Sequence, residues 1–189
     1  MFAALLAMPA GASAQTISFG ALPGSNGSAF SSYTESGFTV DLIAGSICVA
    51  KLLGNSVPAL FGGIVCNQTT NSSLRIKRTA GGVFRFLSTD LATNIGSSSY
   101  TFAGYLAAAS LYSTSSNFSL VSATFANFAS PNSATDIDEL RISLNTIDAS
   151  SYNIDNIALS TSTVPEPSTV ALMGAGLMGL LAVARRRKA

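Results

Sequence analysis

Histidine and tryptophan are absent from this chain of 189 residues, and only 10% of its residues are charged. Without histidine, the Ser-His-Asp and Cys-His arrangements of nucleophilic catalysis are excluded, as are most catalytic zinc sites. Without tryptophan, a sugar-binding site has to rely on tyrosine for its aromatic contacts. The composition therefore points away from the common hydrolases, and we expect a protein that is not an enzyme.

Cysteine is also scarce, and the two that occur are Cys48 and Cys66. In an oxidising compartment an isolated pair of this kind indicates a disulfide bond. The bond would close a loop of about 19 residues and stabilise the fold by roughly 3 kcal/mol in the chain-entropy model. The alternatives are a metal pair or a reactive thiol, but no histidine exists to complete a zinc site or to activate a thiolate.

A strong excess of one charge is missing as well. Residues 15–163 carry six basic and eight acidic side chains, which leaves a net charge of −2. Because this part of the chain has no basic field, we expect no nucleic-acid partner. Serine and threonine make up almost a quarter of the chain, and this abundance favours polar sheet faces and turns over helices.

Residues 15–163 contain no clear amphipathic helix, but they contain many short runs of β-branched and aromatic residues between glycine, serine and asparagine clusters. In one such run, Leu74 and Ile76 face one side of a strand and the intervening cations face the other. Eight or nine strands at this spacing predict an antiparallel β-sandwich. The predicted strands are Thr16–Phe19, Gly37–Ile43, Ile47–Leu53, Ser73–Arg78, Val83–Ser88, Tyr100–Leu106, Phe118–Phe125, Ile137–Leu144 and Tyr152–Ser160.

An apolar stretch of 15 uncharged residues, Val170–Ala184, lies near the C-terminal end. As a helix it covers about 22 Å, which is short of the roughly 30 Å hydrocarbon core of a bilayer. Extending it to Ser168 and letting the flanking arginines reach the interface predicts a single transmembrane helix over residues 168–184. The basic residues 185–189 would then lie in the cytoplasm. A buried core helix is the alternative.

The order of a Pro-Glu-Pro triplet, an apolar stretch and a basic end resembles the PEP-CTERM sorting signal of Gram-negative bacteria. The resemblance implies that an exosortase, a membrane-embedded enzyme, recognises the tail and cuts it near the triplet. It also implies an association with exopolysaccharide. The sorting motif comprises Val164, Pro165, Glu166, Pro167, Ser168 and Thr169, and the cytoplasmic anchor comprises Arg185, Arg186, Arg187 and Lys188.

Residues 83–115 and 152–159 are similar to recurring ectodomains of exported PEP-CTERM proteins and, more loosely, to carbohydrate-binding sandwiches. The resemblance implies a jelly-roll-like sandwich over residues 15–163, followed by the sorting tail over residues 164–189. The residues that carry it are Phe84, Phe86, Ser88, Asp90, Leu91, Tyr100, Phe102, Gly104, Tyr105, Ile154, Asp155, Asn156 and Ile157.

The N-terminal end predicts export. An apolar run over residues 2–8 precedes Ala12-Ser13-Ala14, which fits a signal-peptide cleavage site and predicts a mature start at Gln15. A secretory signal peptide has basic residues before its apolar run, and none occur here. We therefore expect residues 1–14 to be a signal peptide that lacks its first residues. An apolar N-terminal segment of the fold is the alternative.

The acidic residues offer two kinds of site. A glycosidase needs two facing carboxylates, and the candidates are Asp90, Asp136, Asp138, Glu139 and Asp155. A calcium site of carboxylates and backbone carbonyls is the second possibility, with Asp136, Asp138 and Asp155 as ligands. The alternative is that these are solvated turn and strand residues that limit edge pairing.

Two tyrosines, Tyr105 and Tyr112, flank one turn and are candidates for sugar contact. The alternative is that they cover an edge of the core with their hydroxyls in water. The sequence as a whole predicts a non-catalytic exported protein, anchored in the inner membrane before processing and then at the cell surface or in the extracellular matrix. Its expected partners are the exosortase, the membrane and exopolysaccharide, and a carbohydrate-binding module with or without calcium is the alternative function.

Overall fold

Twelve strands occur in the part of the chain that the computed structural model describes, which consists of residues 13–55, 57–120 and 124–161 together with residues 174, 176 and 177. Most of them coincide with runs of β-branched, aromatic or hydroxyl-bearing residues. The strands are β1 (Ser13–Ile17), β2 (Ser32–Glu35), β3 (Phe38–Gly45), β4 (Ile47–Ala50), β5 (Ala59–Gly63), β6 (Asn71–Arg78), β7 (Arg85–Thr93), β8 (Ser98–Leu106), β9 (Ala109–Phe118), β10 (Ala126–Ala129), β11 (Glu139–Thr146) and β12 (Ser151–Thr161).

The strands form two antiparallel sheets. In sheet A the order is β10, β7, β12, β5 and β4, and β1 also pairs with β12. The first part of β12 pairs with β5 and the last part with β1. In sheet B the order is β2, β3, β6, β11, β8 and β9. An all-β fold of two antiparallel sheets is therefore confirmed, whereas the jelly-roll connectivity stays a prediction.

The hydrophobic core lies between the two sheets, where aromatic rings from both meet. Phe86 of sheet A and Phe102 of sheet B pack edge to face with their ring centroids 4.9 Å apart. Phe38 and Phe84 form a second edge-to-face pair at 5.2 Å. Such pairs contribute about 1 kcal/mol beyond the area that they bury. They show that the inner faces of the sheets pack against each other, which leaves the outer faces for polar side chains.

A buried tyrosine connects the two sheets across the core. Tyr152 of β12 is fully buried, and its hydroxyl donates a hydrogen bond of 2.6 Å to the Oγ atom of Ser72 on β6. Ser72 in turn donates to the carbonyl oxygen of Ser46. The ring lies over Gly62, the partner of Tyr152 in the sheet, where a Cβ atom would come within 2.5 Å of the ring. Glycine at position 62 is therefore required by the close approach of the ring.

The predicted disulfide bond is present. Cys48 of edge strand β4 is bonded to Cys66, which follows β5, and their Cα atoms are 5.8 Å apart. Both cysteines are buried. The bond ties the edge of sheet A to the loop that leads into sheet B, and this loop has no strand of its own between Gly63 and Asn71.

Strands β2, β5, β9 and β10 were not predicted, and the predicted strand Phe118–Phe125 is not formed in its described residues beyond Phe118. Two of the four lack the alternation of apolar and polar residues on which the prediction relied, since β5 contains two glycines and β9 is rich in serine. Tertiary pairing with a neighbouring strand imposes their extended conformation. The turn predicted after Tyr100–Leu106 is present at residues 107–108.

The predicted signal peptide and membrane helix fall largely outside the described residues. Residues 1–12 are not described, whereas Ser13 and Ala14 lie in β1 and pair with Thr161 and Ser160. Of the predicted membrane helix only residues 174, 176 and 177 are described, and they are helical. Among the described residues, no helix reaches the length and apolarity that a membrane crossing needs.

Candidate functional site

The sorting motif (Val164, Pro165, Glu166, Pro167, Ser168 and Thr169) and the cytoplasmic anchor (Arg185, Arg186, Arg187 and Lys188) lie outside the described residues. The other predicted site residues lie within residues 13–161. The structure places two polar clusters there: a charged one on the outer face of sheet B and a buried one on the outer face of sheet A.

The two candidate tyrosines do not share a surface. Tyr105 lies on the outer face of sheet B, whereas Tyr112 packs against the core, and burial raises the pKa of its hydroxyl to about 12. The cause is a bulge in the β8–β9 hairpin, where Gly104 pairs with Tyr112 but Tyr105 pairs with Ser110. In an unbroken hairpin Tyr112 would pair with Ala103 on the outer face, and the extra residue turns it inward.

The three candidate calcium ligands are not brought together. Asp136 accepts a hydrogen bond of 2.7 Å from Arg85, and Asp138 accepts one of 2.9 Å from the backbone N–H of Ala107. Asp155 is fully buried in sheet A. Across residues 13–55, 57–120 and 124–161, no group of three or more acidic or cysteine side chains is arranged to hold a metal ion.

The outer face of sheet B has a cluster of charges that we call the charged face: Asp41, Arg75, Lys77, Glu139 and Arg141. Arg75 donates to Asp41 at 2.9 Å, while Lys77 and Arg141 donate to Glu139 at 2.8 and 2.6 Å. The cluster follows from the alternation of β6 and β11, since every second residue of each strand faces outward. Three cations against two carboxylates leave one positive charge on this face.

Both carboxylates of the charged face are held in the ionised form. Burial alone would raise the pKa of Glu139, but the hydrogen bonds from Lys77 and Arg141 outweigh it and hold the pKa below its ordinary value. The hydrogen bond from Arg75 is the main reason why the pKa of Asp41 is also lowered. The guanidinium of Arg141 lies over the ring of Tyr105, 4.4 Å from its centroid, which is a cation–π contact.

Hydroxyl groups surround the charged face on the same and on neighbouring strands of sheet B. Ser73 and Ser143 share a hydrogen bond, and so do Thr101 and Ser115 at 2.7 Å. The hydroxyl of Ser32 donates to Asp41 at 2.8 Å. The strands carry these side chains at regular intervals, so the outer face of sheet B is a broad polar surface rather than a pocket.

The buried cluster lies on the outer face of sheet A. Asp90 of β7 and Asp155 of β12 are direct cross-strand partners, and both are buried. Asn55 connects them, because its backbone N–H donates to Asp155 at 2.8 Å and its side-chain amide donates to Asp90 at 2.8 Å. Asn127 and Asn156 also donate to Asp90, at 2.9 and 3.0 Å. The amides close the two carboxylates off from solvent.

The two buried carboxylates differ in their proton affinity. Burial raises the pKa of Asp155 to about 6, and the nearby charges of Asp90 and Glu35 act in the same direction. Burial would also raise the pKa of Asp90, but hydrogen bonds from Asn127, Asn156 and Asn55 hold it below the ordinary value. The cluster therefore contains one carboxylate that stays ionised and one that titrates near neutral pH.

The sequence pointed to Asp90, Asp155, Glu139 and Tyr105, but not to the residues that connect them into two clusters. Asn55 lies in a loop about 100 residues before Asp155, and no local pattern connects the two. The pairing of Arg75 with Arg141 depends on the register of β6 against β11, which is known only once the sheet is built. The strand alternation that places both arginines on the outer face was, in contrast, visible in the sequence.

Comparisons with known proteins concern the tail and the sandwich separately. No curated protein matches the chain. A DUF4465 family protein from Bacteroides caccae is similar to it with a TM-score of 0.49 and 11% identity, over 78% of this chain and 98% of that one. A family 32 carbohydrate-binding module from C. perfringens NanJ, solved in complex with galactose, has a TM-score of 0.46 at 9% identity over 68% and 98%. A family 29 carbohydrate-binding module from Piromyces equi has a TM-score of 0.45 at 10% identity over 83% and 95%.

These similarities concern the arrangement of strands and assign no role to a residue of this chain. The tail gives a more specific result, because the family model described as the PEP-CTERM protein-sorting motif matches residues 163–188. This match coincides with the triplet, apolar stretch and basic end described above. The chain therefore carries a PEP-CTERM sorting motif, which indicates an exported protein that is processed at the cell envelope.

Proposed function

We propose that this protein is a non-catalytic surface or extracellular-matrix protein that an exosortase processes through its C-terminal tail. The observation that carries the proposal is the sorting motif at residues 163–188. The signal peptide over residues 1–14 directs export, the sandwich over residues 15–163 crosses into the periplasm, and the helix over residues 168–184 anchors the protein in the inner membrane. Cleavage near Pro165-Glu166-Pro167 then releases the sandwich to the cell surface or the matrix, where it associates with exopolysaccharide.

Two features of the sandwich support an exported, non-catalytic role. The disulfide bond between Cys48 and Cys66 suits an oxidising compartment such as the periplasm. The five carboxylates that were considered for a glycosidase all accept hydrogen bonds from other groups of the protein. Asp136 pairs with Arg85, and Glu139 pairs with Lys77 and Arg141. Asp138 accepts from Ala107, and Asp90 and Asp155 accept from Asn55. A glycosidase needs an acid and a base or nucleophile that face a common substrate, which these contacts do not provide.

The proposal is tested by following the tail in cells that have the exosortase and in cells that lack it. In exosortase-positive cells, mass spectrometry of the mature protein should find a C-terminus near the Pro-Glu-Pro triplet and an N-terminus at Gln15. In the deletion strain the tail should remain, and fractionation should find the protein in the inner membrane. An intact Arg185–Lys188 end on the protein of exosortase-positive cells would contradict processing.

A second candidate function, carbohydrate binding, is supported by the outer face of sheet B. This surface is broad, rich in hydroxyls and charged at its centre, and it presents Tyr105. Asp155 is buried beside Asp90 on the other sheet, so a calcium ion that assists binding would need ligands on sheet B instead. A glycan array probed with the mature protein, with and without a chelator, tests both the binding and the need for calcium. Silence across neutral and acidic polysaccharides would contradict the binding function, and equal signals with the chelator would contradict the role of calcium.

A further inference from the structure

Two arginines lie directly opposite each other on the outer face of sheet B. Arg75 of β6 and Arg141 of β11 are cross-strand partners, and Lys77 follows two residues after Arg75 on the same face. Partners of this kind have their Cβ atoms about 5 Å apart, and like charges at that spacing destabilise a sheet. Arg75 and Arg141 therefore repel each other. Threonine or serine at either position would keep the alternation of β6 and β11 without this repulsion.

The protein's own carboxylates satisfy these cations only in part. Asp41 takes one nitrogen of Arg75, and Glu139 is shared between Lys77 and Arg141. The Nε atom of Arg75 is buried and has no hydrogen-bond partner in the described part of the chain. An unsatisfied buried donor lowers the stability of the fold. An external carboxylate above the pair would let the guanidinium turn its planar edge toward a bidentate partner and recover this cost.

The aromatic ring of Tyr105, beside these cations, is not free to stack on a sugar. The guanidinium of Arg141 covers the ring of Tyr105 at 4.4 Å from its centroid. Recognition on this face therefore depends on charge and on hydroxyl contacts with side chains such as Thr101 and Ser115. A neutral polysaccharide gains little from such a surface, whereas a polysaccharide that carries carboxylates gains charge-assisted hydrogen bonds.

The surrounding charge argues against a nucleic acid as the occupant. Residues 15–163 carry six basic and eight acidic side chains, and only three of the basic ones belong to the charged face. A phosphate backbone needs a row or field of cations along its length. A chain of sugars with carboxylates needs only a few positive points between many hydroxyl contacts.

We propose that the charged face binds an acidic, uronate-type polysaccharide, whose carboxylates bridge Arg75 and Arg141 with Lys77 beside them. The inference rests on the proposed association with exopolysaccharide and names its chemistry. It predicts that carboxylate groups are necessary for binding and that the affinity falls as the salt concentration rises.

The test uses the full chain in detergent micelles, in a background where Arg185–Lys188 are replaced by glutamine so that the tail cannot bind the polymer. Binding to polygalacturonate is compared with binding to its fully methyl-esterified form. The double variant Arg75→Gln/Arg141→Gln should bind polygalacturonate about tenfold or more weakly. The matched control Arg78→Gln removes a cation at the end of β6, beside Val83 and away from the pair, and should bind within twofold of the parent chain.

Three results would overturn the inference. These are equal binding of the two polymer forms, an equal loss of affinity in all variants, and equal affinity for single-stranded DNA of similar charge. Near-UV circular dichroism establishes that each variant is folded, so that a loss of binding reports the face itself. Tail processing is measured separately by mass spectrometry in exosortase-positive cells. Normal processing without binding would overturn this inference alone, whereas binding without processing would overturn the proposed sorting function alone.

Discussion

The buried carboxylate pair predicts that the stability of the fold falls as the pH rises from about 4 to about 6. Burial raises the pKa of Asp155 from its ordinary value of 3.8 to about 6. In this interval the folded protein holds a proton on Asp155 that the unfolded chain has already released. Because the folded state binds more protons, its free energy of unfolding decreases with pH. The contribution is complete below pH 3.8 and is lost as the pH rises through 6.

The magnitude follows from the pKa values. At 1.36 kcal/mol per pKa unit, moving the pKa from 3.8 to about 6 corresponds to about 3 kcal/mol. No discount for solvent is needed, because the side chain of Asp155 is fully buried. Asp90, its cross-strand partner, has a lowered pKa and titrates below this interval. Asp155 is therefore the member of this pair that titrates in the folded protein between pH 4 and pH 7.

The assay is urea unfolding of the oxidised protein at several pH values between 3.5 and 7.5, in the presence of a chelator. Asp155→Asn is measured beside the parent chain. The free energy of unfolding of the parent chain minus that of the variant is plotted against pH. Taking the difference cancels the other titrating groups. The asparagine loses one of two backbone hydrogen bonds, which shifts the whole curve by a constant amount. The difference should fall by up to about 3 kcal/mol across the interval.

Asp41→Asn is the matched control, since the pKa of Asp41 is lowered by its hydrogen bond from Arg75. The stability that Asp41 contributes is present above pH 3.8 and is lost as the pH falls through its lower folded pKa. The control curve should therefore be flat from pH 5 to 7 and change only at the acid end. A flat curve for Asp155→Asn would refute the reasoning about burial. A rising curve would show that the fold stabilises the ionised form of Asp155 rather than the protonated one.

Three further predictions concern the core and can be measured by the same unfolding experiment. Replacing both Cys48 and Cys66 by alanine should cost roughly 3 kcal/mol, and reducing the parent chain should lower its unfolding midpoint to that of the variant. An oxidised parent chain that is no more stable than the variant would contradict this prediction. Gly62→Ala should cost about 1–3 kcal/mol, because its Cβ would lie 2.5 Å from the ring of Tyr152, whereas Gly20→Ala, whose nearest contact is 3.4 Å away, should be nearly neutral. Tyr152→Phe removes the hydrogen bond to Ser72 and should cost about 1 kcal/mol, and a cost near zero would mean that this bond adds nothing to stability.

How much of the fold was predictable depended on whether a strand carries its own signal. The alternation around Leu74 and Ile76 identified β6, and the same pattern identified β11 and β12. In β9, hydroxyl-bearing residues occupy both faces, so its extended conformation follows from pairing with β8 rather than from its own residues. The disulfide bond was predictable because the chain has only one possible pair of cysteines.

The candidate site was less predictable, because it depends on register. A single bulge in the β8–β9 hairpin places Tyr105 and Tyr112 on opposite faces of the sheet, and no pattern in the sequence of the hairpin predicts this bulge. The same holds for Asp90 and Asp155, which lie 65 residues apart and become neighbours only through the pairing of β7 with β12. Contacts between distant strands are specified by the whole fold, and a slip of one residue would move every side chain to the other face.

Each sheet thus contains one pair of like charges in direct register, and the surroundings of the two pairs give them different roles. Asp90 and Asp155 are enclosed by the amides of Asn55 and Asn156, and protonation of one carboxylate relieves their repulsion within the protein. Arg75 and Arg141 cannot relieve theirs in this way, since an arginine stays charged at any physiological pH. Asp41 and Glu139 compensate these charges in part, and the partial exposure of the arginines leaves room for an external anion beside them. The buried pair therefore belongs to the architecture of the sandwich, and the exposed pair is the part of its surface where a charged polymer gains the most.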